Sequence, residues 1–127
     1  MIRLYIFLFF FTGIIANTFS QQISGIVNEY AEVTAVGNDF VDLVNTSAFQ
    51  VGDKVLLMNM KGASINTGNV STFGTISNQG DAGNFEFTYV LSISGQTITF
   101  VTDLCNSYTV GPTGKVQLIR VPVYTDA

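Results

Sequence analysis

The sequence predicts an all-β protein: a small antiparallel barrel, with a β-sandwich as the alternative, of six or seven strands. Three observations carry this. Val, Ile, Thr, Phe and Tyr dominate the apolar runs after residue 20, and those runs are short and punctuated by Gly, Asn and Asp. No segment there keeps apolar residues at helical spacing over about 11 residues. A glycine turn joins two alternating runs within residues 85–101, as a hairpin requires.

The chain opens with a leader. Arg3 precedes the apolar run LYIFLFFFTGIIA (4–16), and ANTFS follows it. A basic start, an apolar stretch and small residues at a cleavage point make a signal peptide. The run is shorter than the roughly 18–20 residues of a membrane span. Cleavage after Ser20 fits best, and after Ala16 second best. The domain is then residues 21–127, a single β domain, and its expected location is secreted or on the outer cell surface.

QQISGIVNEY (21–30) can add a short first strand. AEVTAVGNDFVDLVN (31–45) reads as a hairpin turning at Gly37, Asn38 and Asp39, with its register open between a two- and a three-residue loop. SAFQVGDKVLLMNM (47–60) places Phe49 and Val51 as caps on the core. Gly52-Asp53 turns into a strand that is apolar on both faces, which predicts cover on both sides. In FEFTYVLSISGQTITFV (85–101), Phe85, Phe87, Tyr89, Leu91 and Ile93 share one face, expected to be the core face. Gly95-Gln96 supplies a type II′ turn that pairs Ile93 with Ile98 and Leu91 with Phe100. GKVQLIRVPVY (114–124) is the last strand; Pro122 cannot donate to a ladder, so the strand ends there or lies at an edge.

Composition excludes several functions. Outside the leader, four Lys and Arg face nine Asp and Glu. Without a cationic patch to displace counterions, nucleic acid is not a partner; after leader cleavage nothing inserts into a membrane. The chain has no His, so Ser-His-Asp and Cys-His chemistry cannot be assembled. Cys105 is the one cysteine. It has no intrachain partner and reads as a buried free thiol. Asp39 and Asp42 span a turn and need not converge as an acid pair. Asp53 is expected to fix its own turn by accepting from backbone NH groups.

KGASINTGNVSTFGTISNQGDAG (61–83) is the long insertion. Connections of this length in small domains are functional or disordered. Ile65, Val70, Phe73 and Ile76 recur along it, which predicts that it docks on the barrel as a cover, with Phe73 a contact residue. Removing the Phe73 ring is then expected to expose the loop to proteases. NQGDAGN (78–84) offers Asn78, Asp81 and Asn84 as oxygen donors, the one place where calcium has candidate ligands. Only one of them is a carboxylate, short of the usual set. No other cofactor is expected. Tyr108 is expected either exposed as a contact residue or plugging a barrel end.

FQVGDKVLLMNMKGASINTGN, FGTISNQGDAGNFEF and GKVQLIRVPVYTDA together resemble the N-terminal region of large secreted surface proteins of gliding bacteria. Those proteins use type IX secretion and end in a sorting or gliding-motility-associated C-terminal domain. The resemblance covers residues 23–127 and brings no catalytic residues. It implies a β-rich module of a longer chain, of which this sequence is expected to be a fragment; the alternative is a short relative that cannot use that export route unaided. The expected function is a non-enzymatic structural or adhesive module of a cell-surface protein. The alternative is a module that binds a glycan or small ligand through the 61–83 loop, with Tyr108, Asn78 and Asp81 nearby. Expected partners are following domains of the same chain, or a surface polysaccharide or protein.

Overall fold

The structure, a computed structural model, describes Gly25 and residues 28–124. The signal-peptide reading lies outside these residues. The described residues are all β, with eight strands: β1 (Glu29–Val36), β2 (Phe40–Leu43), β3 (Lys54–Lys61), β4 (Ser64–Ile65), β5 (Ile76–Asn78), β6 (Phe85–Ser94), β7 (Thr97–Phe100) and β8 (Lys115–Val121). Six close into an antiparallel barrel in the order β1-β2-β7-β6-β3-β8, and β4-β5 form a separate two-stranded arm. A barrel this narrow is filled by its own side chains. Val33, Val41, Leu43, Val55, Leu57, Val90, Ile98, Phe100, Val116 and Leu118 fill it, with Phe49 beside them.

The turn at Gly95-Gln96 forms as its sequence requires: Gly95 has φ +60°, and the two flanking strands pair across it with Ile93 opposite Ile98. Beyond that pair the expected register fails. Phe100 lies opposite Val90, not Leu91, and Leu91 is the extra residue of a bulge. One added residue reverses the inward and outward alternation of the rest of a strand. Thr88 and Val90 therefore face the core, while Phe85, Phe87, Tyr89 and Leu91 face out, each 48–55% exposed. The expectation that this aromatic series lines the core is thus corrected. The interior of a six-stranded barrel has no room for three stacked aromatic rings.

Other elements also differ from expectation. A bulge at Thr34 sets the β1–β2 register, so Val33 meets Leu43 and Val36 meets Val41. β3 buries Val55, Leu57 and Asn59, but its outer residues Leu56 and Met58 are half-buried and Met60 is exposed, so it is not covered on both sides. β8 ends at Val121, one residue before Pro122, as a strand must. It is not an edge, because it pairs with both β1 and β3 and closes the barrel. Phe49 caps one end as expected, whereas Val51 is exposed. Asp53 does hold its turn, accepting from the Gln50 NH at 2.8 Å.

Phe100→Ala removes a fully enclosed ring and should cost about 3–5 kcal/mol. Leu91→Ala, at the bulge and outside the core, should cost less than about 1 kcal/mol. Urea unfolding of the two variants checks this; equal losses would place Leu91 inside.

Candidate functional site

Two surfaces stand out: the barrel end from which the arm leaves, and the outer wall beside it. At the arm end, residues 101–114 fold over the opening, with Leu104, Tyr108 and Val110 packed on the core. Tyr108 thus plugs the barrel end, one of its two expected places. Glu86 on β6 ties this cover down. Its carboxylate accepts from the Cys105 NH at 3.0 Å, the Asn106 NH at 3.2 Å and the Tyr108 hydroxyl at 2.9 Å. Burial, then the hydrogen bond and the negative charge of Glu86, hold the Tyr108 phenol well above its ordinary 10.0.

Asn59 is the second tie. It is 1% exposed and sits where β3 runs into the arm. Its side chain donates to the Lys61 carbonyl at 2.8 Å and accepts from the Thr109 NH at 3.0 Å. Its backbone bonds Gly83 and Asn84 on the returning side of the arm. A buried amide with both ends satisfied is a positional pin rather than a reactive group. Cys105 sits on this cover and is exposed, not buried as expected, because Glu86 draws the surrounding backbone onto the barrel rim.

The three calcium candidates are put to other uses. The Asn78 side chain accepts from the Gly80 NH at 2.9 Å, Asp81 accepts from the Thr109 hydroxyl, and Asn84 donates to the Ser107 carbonyl at 3.0 Å. Asp81 and Asn84 thereby fasten the arm base to the 101–114 cover, while Asn78 shapes a turn. Among the described residues no group of three or more His, Cys, Asp or Glu is placed to hold a metal ion.

The arm itself is ordered but undocked. Asn66 organises its tip: its NH donates to Thr75, its carbonyl accepts from Gly74, and its side chain bonds Thr72 and the Gly68 NH. Ile65 lies opposite Ile76. Yet Ile65, Val70, Phe73 and Ile76 are 52–67% exposed, Phe73 the most. The expected docking of these four residues on the barrel does not occur. Main-chain and Asn66 bonds hold the arm, so truncating Phe73 leaves those bonds intact.

The outer wall of the barrel was not legible as a site. Register places Tyr30, Ile119, Leu56 and Phe87 in one row across β1, β8, β3 and β6. Met58 and Phe85 flank the row on the arm side; Val121 and Tyr89 lie on the other. Phe85 and Phe87 meet edge to face at 6.4 Å, and the Lys54 ammonium sits 5.1 Å from the Phe87 ring centre. Across the barrel the wall is more polar, although Phe40 is exposed there opposite Thr99: Thr97 bonds Asp42, and Ser92 faces Thr99. The exposed portions of Tyr30, Phe85, Phe87, Tyr89 and Leu91 amount to about 550 Å², taking roughly 200 Å² per large side chain. Patches of that size are the largest a typical monomer exposes, and they are often functional. A shallow depression of about 470 Å³, lined by Tyr30, Glu32, Met60, Lys115, Val116 and Gln117, borders it.

No protein-family model matches the chain, and no curated protein matches it. A solved structure to which it is similar is the Gp54 tailspike of Acinetobacter baumannii bacteriophage AP22 in complex with A. baumannii capsular saccharide. The identity is 16% and the TM-score 0.43, over 73% of this chain and 15% of the tailspike chain. A likeness of that degree says nothing about ligand or activity. Among the described residues no helix is long and apolar enough to cross a membrane.

Glu86→Ala should release the 101–114 cover, cost about 2 kcal/mol and open new cleavage sites there under limited proteolysis. An unchanged digest would remove Glu86 from this role. The folded Tyr108 phenol keeps its proton at a pH where the unfolded one has lost it. Its contribution to stability is therefore complete below about pH 10 and fades above it. Urea unfolding across alkaline pH should show a shallower decline for Tyr108→Phe than for the parent chain.

Proposed function

We propose that this chain is a non-enzymatic structural or adhesive module that works by burying its aromatic outer wall against another surface. One observation carries the reading: an apolar row across four strands faces outward from a barrel whose interior is already full. Aromatic residues at the centre of a wall, with Glu32 at its margin and the Lys54 ammonium stacked on the Phe87 ring, match the anatomy of a protein contact. The absence of His agrees with a non-enzymatic role. The resemblance to surface proteins of gliding bacteria fits the same reading, with export through the N-terminal leader and following domains as neighbours.

A glycan-binding role through the 61–83 loop is the second reading, and the exposed ring of Phe73 favours it. Against it, the polar groups of Asn78, Asp81 and Tyr108 are already spent on internal hydrogen bonds. A sugar site needs such groups free to fix orientation.

Labelled chain should bind the surface of cells that produce it, and the double variant Phe85→Ser/Phe87→Ser should bind about tenfold or more weakly while still unfolding in one cooperative urea transition. Equal binding by the variant would contradict the reading. Binding that survives protease treatment of the cells but is lost after periodate oxidation would favour the glycan role.

A further inference from the structure

We infer that two copies of the chain associate by laying the 61–83 arm of each on the aromatic wall of the other. This rests on the reading of the wall as a docking surface and names its occupant. Each copy carries two apolar surfaces that do not meet: the wall, and the exposed Ile65, Val70, Phe73 and Ile76 of the arm. The arm leaves the barrel between the ends of β3 and β6, the strands that carry the wall's Leu56, Met58, Phe85 and Phe87. One two-fold axis can therefore bring both arm-to-wall contacts about together, each surface being used once per copy.

Charge agrees. The arm has no charged residue between Lys61 and Asp81, and the central row Tyr30, Ile119, Leu56 and Phe87 has none. Stacking them brings one unpaired charge into the contact, the Lys54 ammonium over the Phe87 ring, and the long lysine stem lets it reach the rim. Glu32 and Lys115 stay at the margin, where Lys115 already pairs with Glu32 at 2.8 Å.

Area agrees too. The exposed parts of the four arm residues come to about 480 Å², and those of the wall to about 550 Å², by the same measure. Reciprocal contact would bury at most about 2,100 Å² in all, so partial burial of these side chains already falls in the roughly 1,200–2,000 Å² of stable pairs. The arm also needs little ordering, because the Asn66 bonds at its tip and the Asn59, Asp81 and Asn84 bonds at its base already set its shape. The depression beside Tyr30 and Met60 has room for a ring such as that of Phe73.

Sedimentation equilibrium of the chain with its native N-terminus tests this. The parent should be dimeric at micromolar concentration. The arm variant Val70→Ser/Phe73→Ser and the wall variant Phe85→Ser/Phe87→Ser should each weaken the dimer about tenfold or more. Mixed together they should form a heterodimer stronger than either variant alone, because one arm-to-wall contact remains whole. The arm variant keeps the entire barrel, so a folding defect cannot explain its loss. A parent that stays monomeric overturns the inference, while cell-surface binding tests the docking wall separately. A dimer weakened by the wall variant but not by the arm variant also overturns it and leaves the wall as a contact surface. A dimer indifferent to both variants overturns the inference and removes the wall from self-association.

Discussion

One extra residue in β6 decides the character of this protein. Ile93 and Val90 both face the core, opposite Ile98 and Phe100, and they are three residues apart. An unbroken strand cannot do that, because its side chains alternate with period two. The bulge at Leu91 absorbs the odd residue. With it, the interior receives Val90 and Thr88, small enough for six strands to close around. Without it, Phe85, Phe87 and Tyr89 would point inward and the barrel could not close at its present width. Closure and the outward aromatic wall are therefore consequences of one local insertion.

Closure also explains where the polar residues went. A closed barrel has no sheet edges, but its ends must still be covered. Phe49 serves at one end. At the other, the 101–114 segment is held by groups that would otherwise be awkward near a core: Glu86, and the nearly inaccessible Asn59. Each is satisfied by backbone donors or acceptors, which keeps the cost of enclosing it small. The same bonds brace the arm base, since Asn59 and Asp81 touch both the arm and the cover through Thr109. An arm braced this way can display apolar side chains without collapsing onto its own barrel.

Much of the fold was legible in the sequence, because it depends on short-range chemistry. Gly95-Gln96 dictated its turn, Asp53 its own loop, Pro122 the end of β8, and alternating Val, Leu and Ile the core strands. The bulge was not legible. Leu91 is as apolar as its neighbours, and nothing local distinguishes a bulged residue from a paired one. That single ambiguity reversed the face assigned to Phe85, Phe87 and Tyr89, and with it hid the candidate contact surface. The arm misled for a related reason. Apolar residues in a long loop suggest docking, and only the hydrogen-bond pattern around Asn66 reveals a segment that stands by itself. Asn78, Asp81 and Asn84 looked like oxygen ligands because their residue types fit; their uses in turns and bracing depend on Gly80, Ser107 and Thr109, of which the last two are far away in sequence. Tyr108 was legible only as either an exposed contact residue or a plug, and its partner Glu86 lay in a strand whose facing had been reversed.

β6 turns its aromatic side chains out and its Thr and Val side chains in. Solvent paramagnetic relaxation, measured by NMR with a soluble gadolinium chelate at a concentration where the chain is monomeric, reads this for each side chain. Strong enhancement for the Phe85, Phe87 and Leu91 protons, with none for Val90 and Phe100, is the expected result. Protected Phe85 and Phe87 rings beside an accessible Val90 would contradict the bulge, the filled core and the contact surface together.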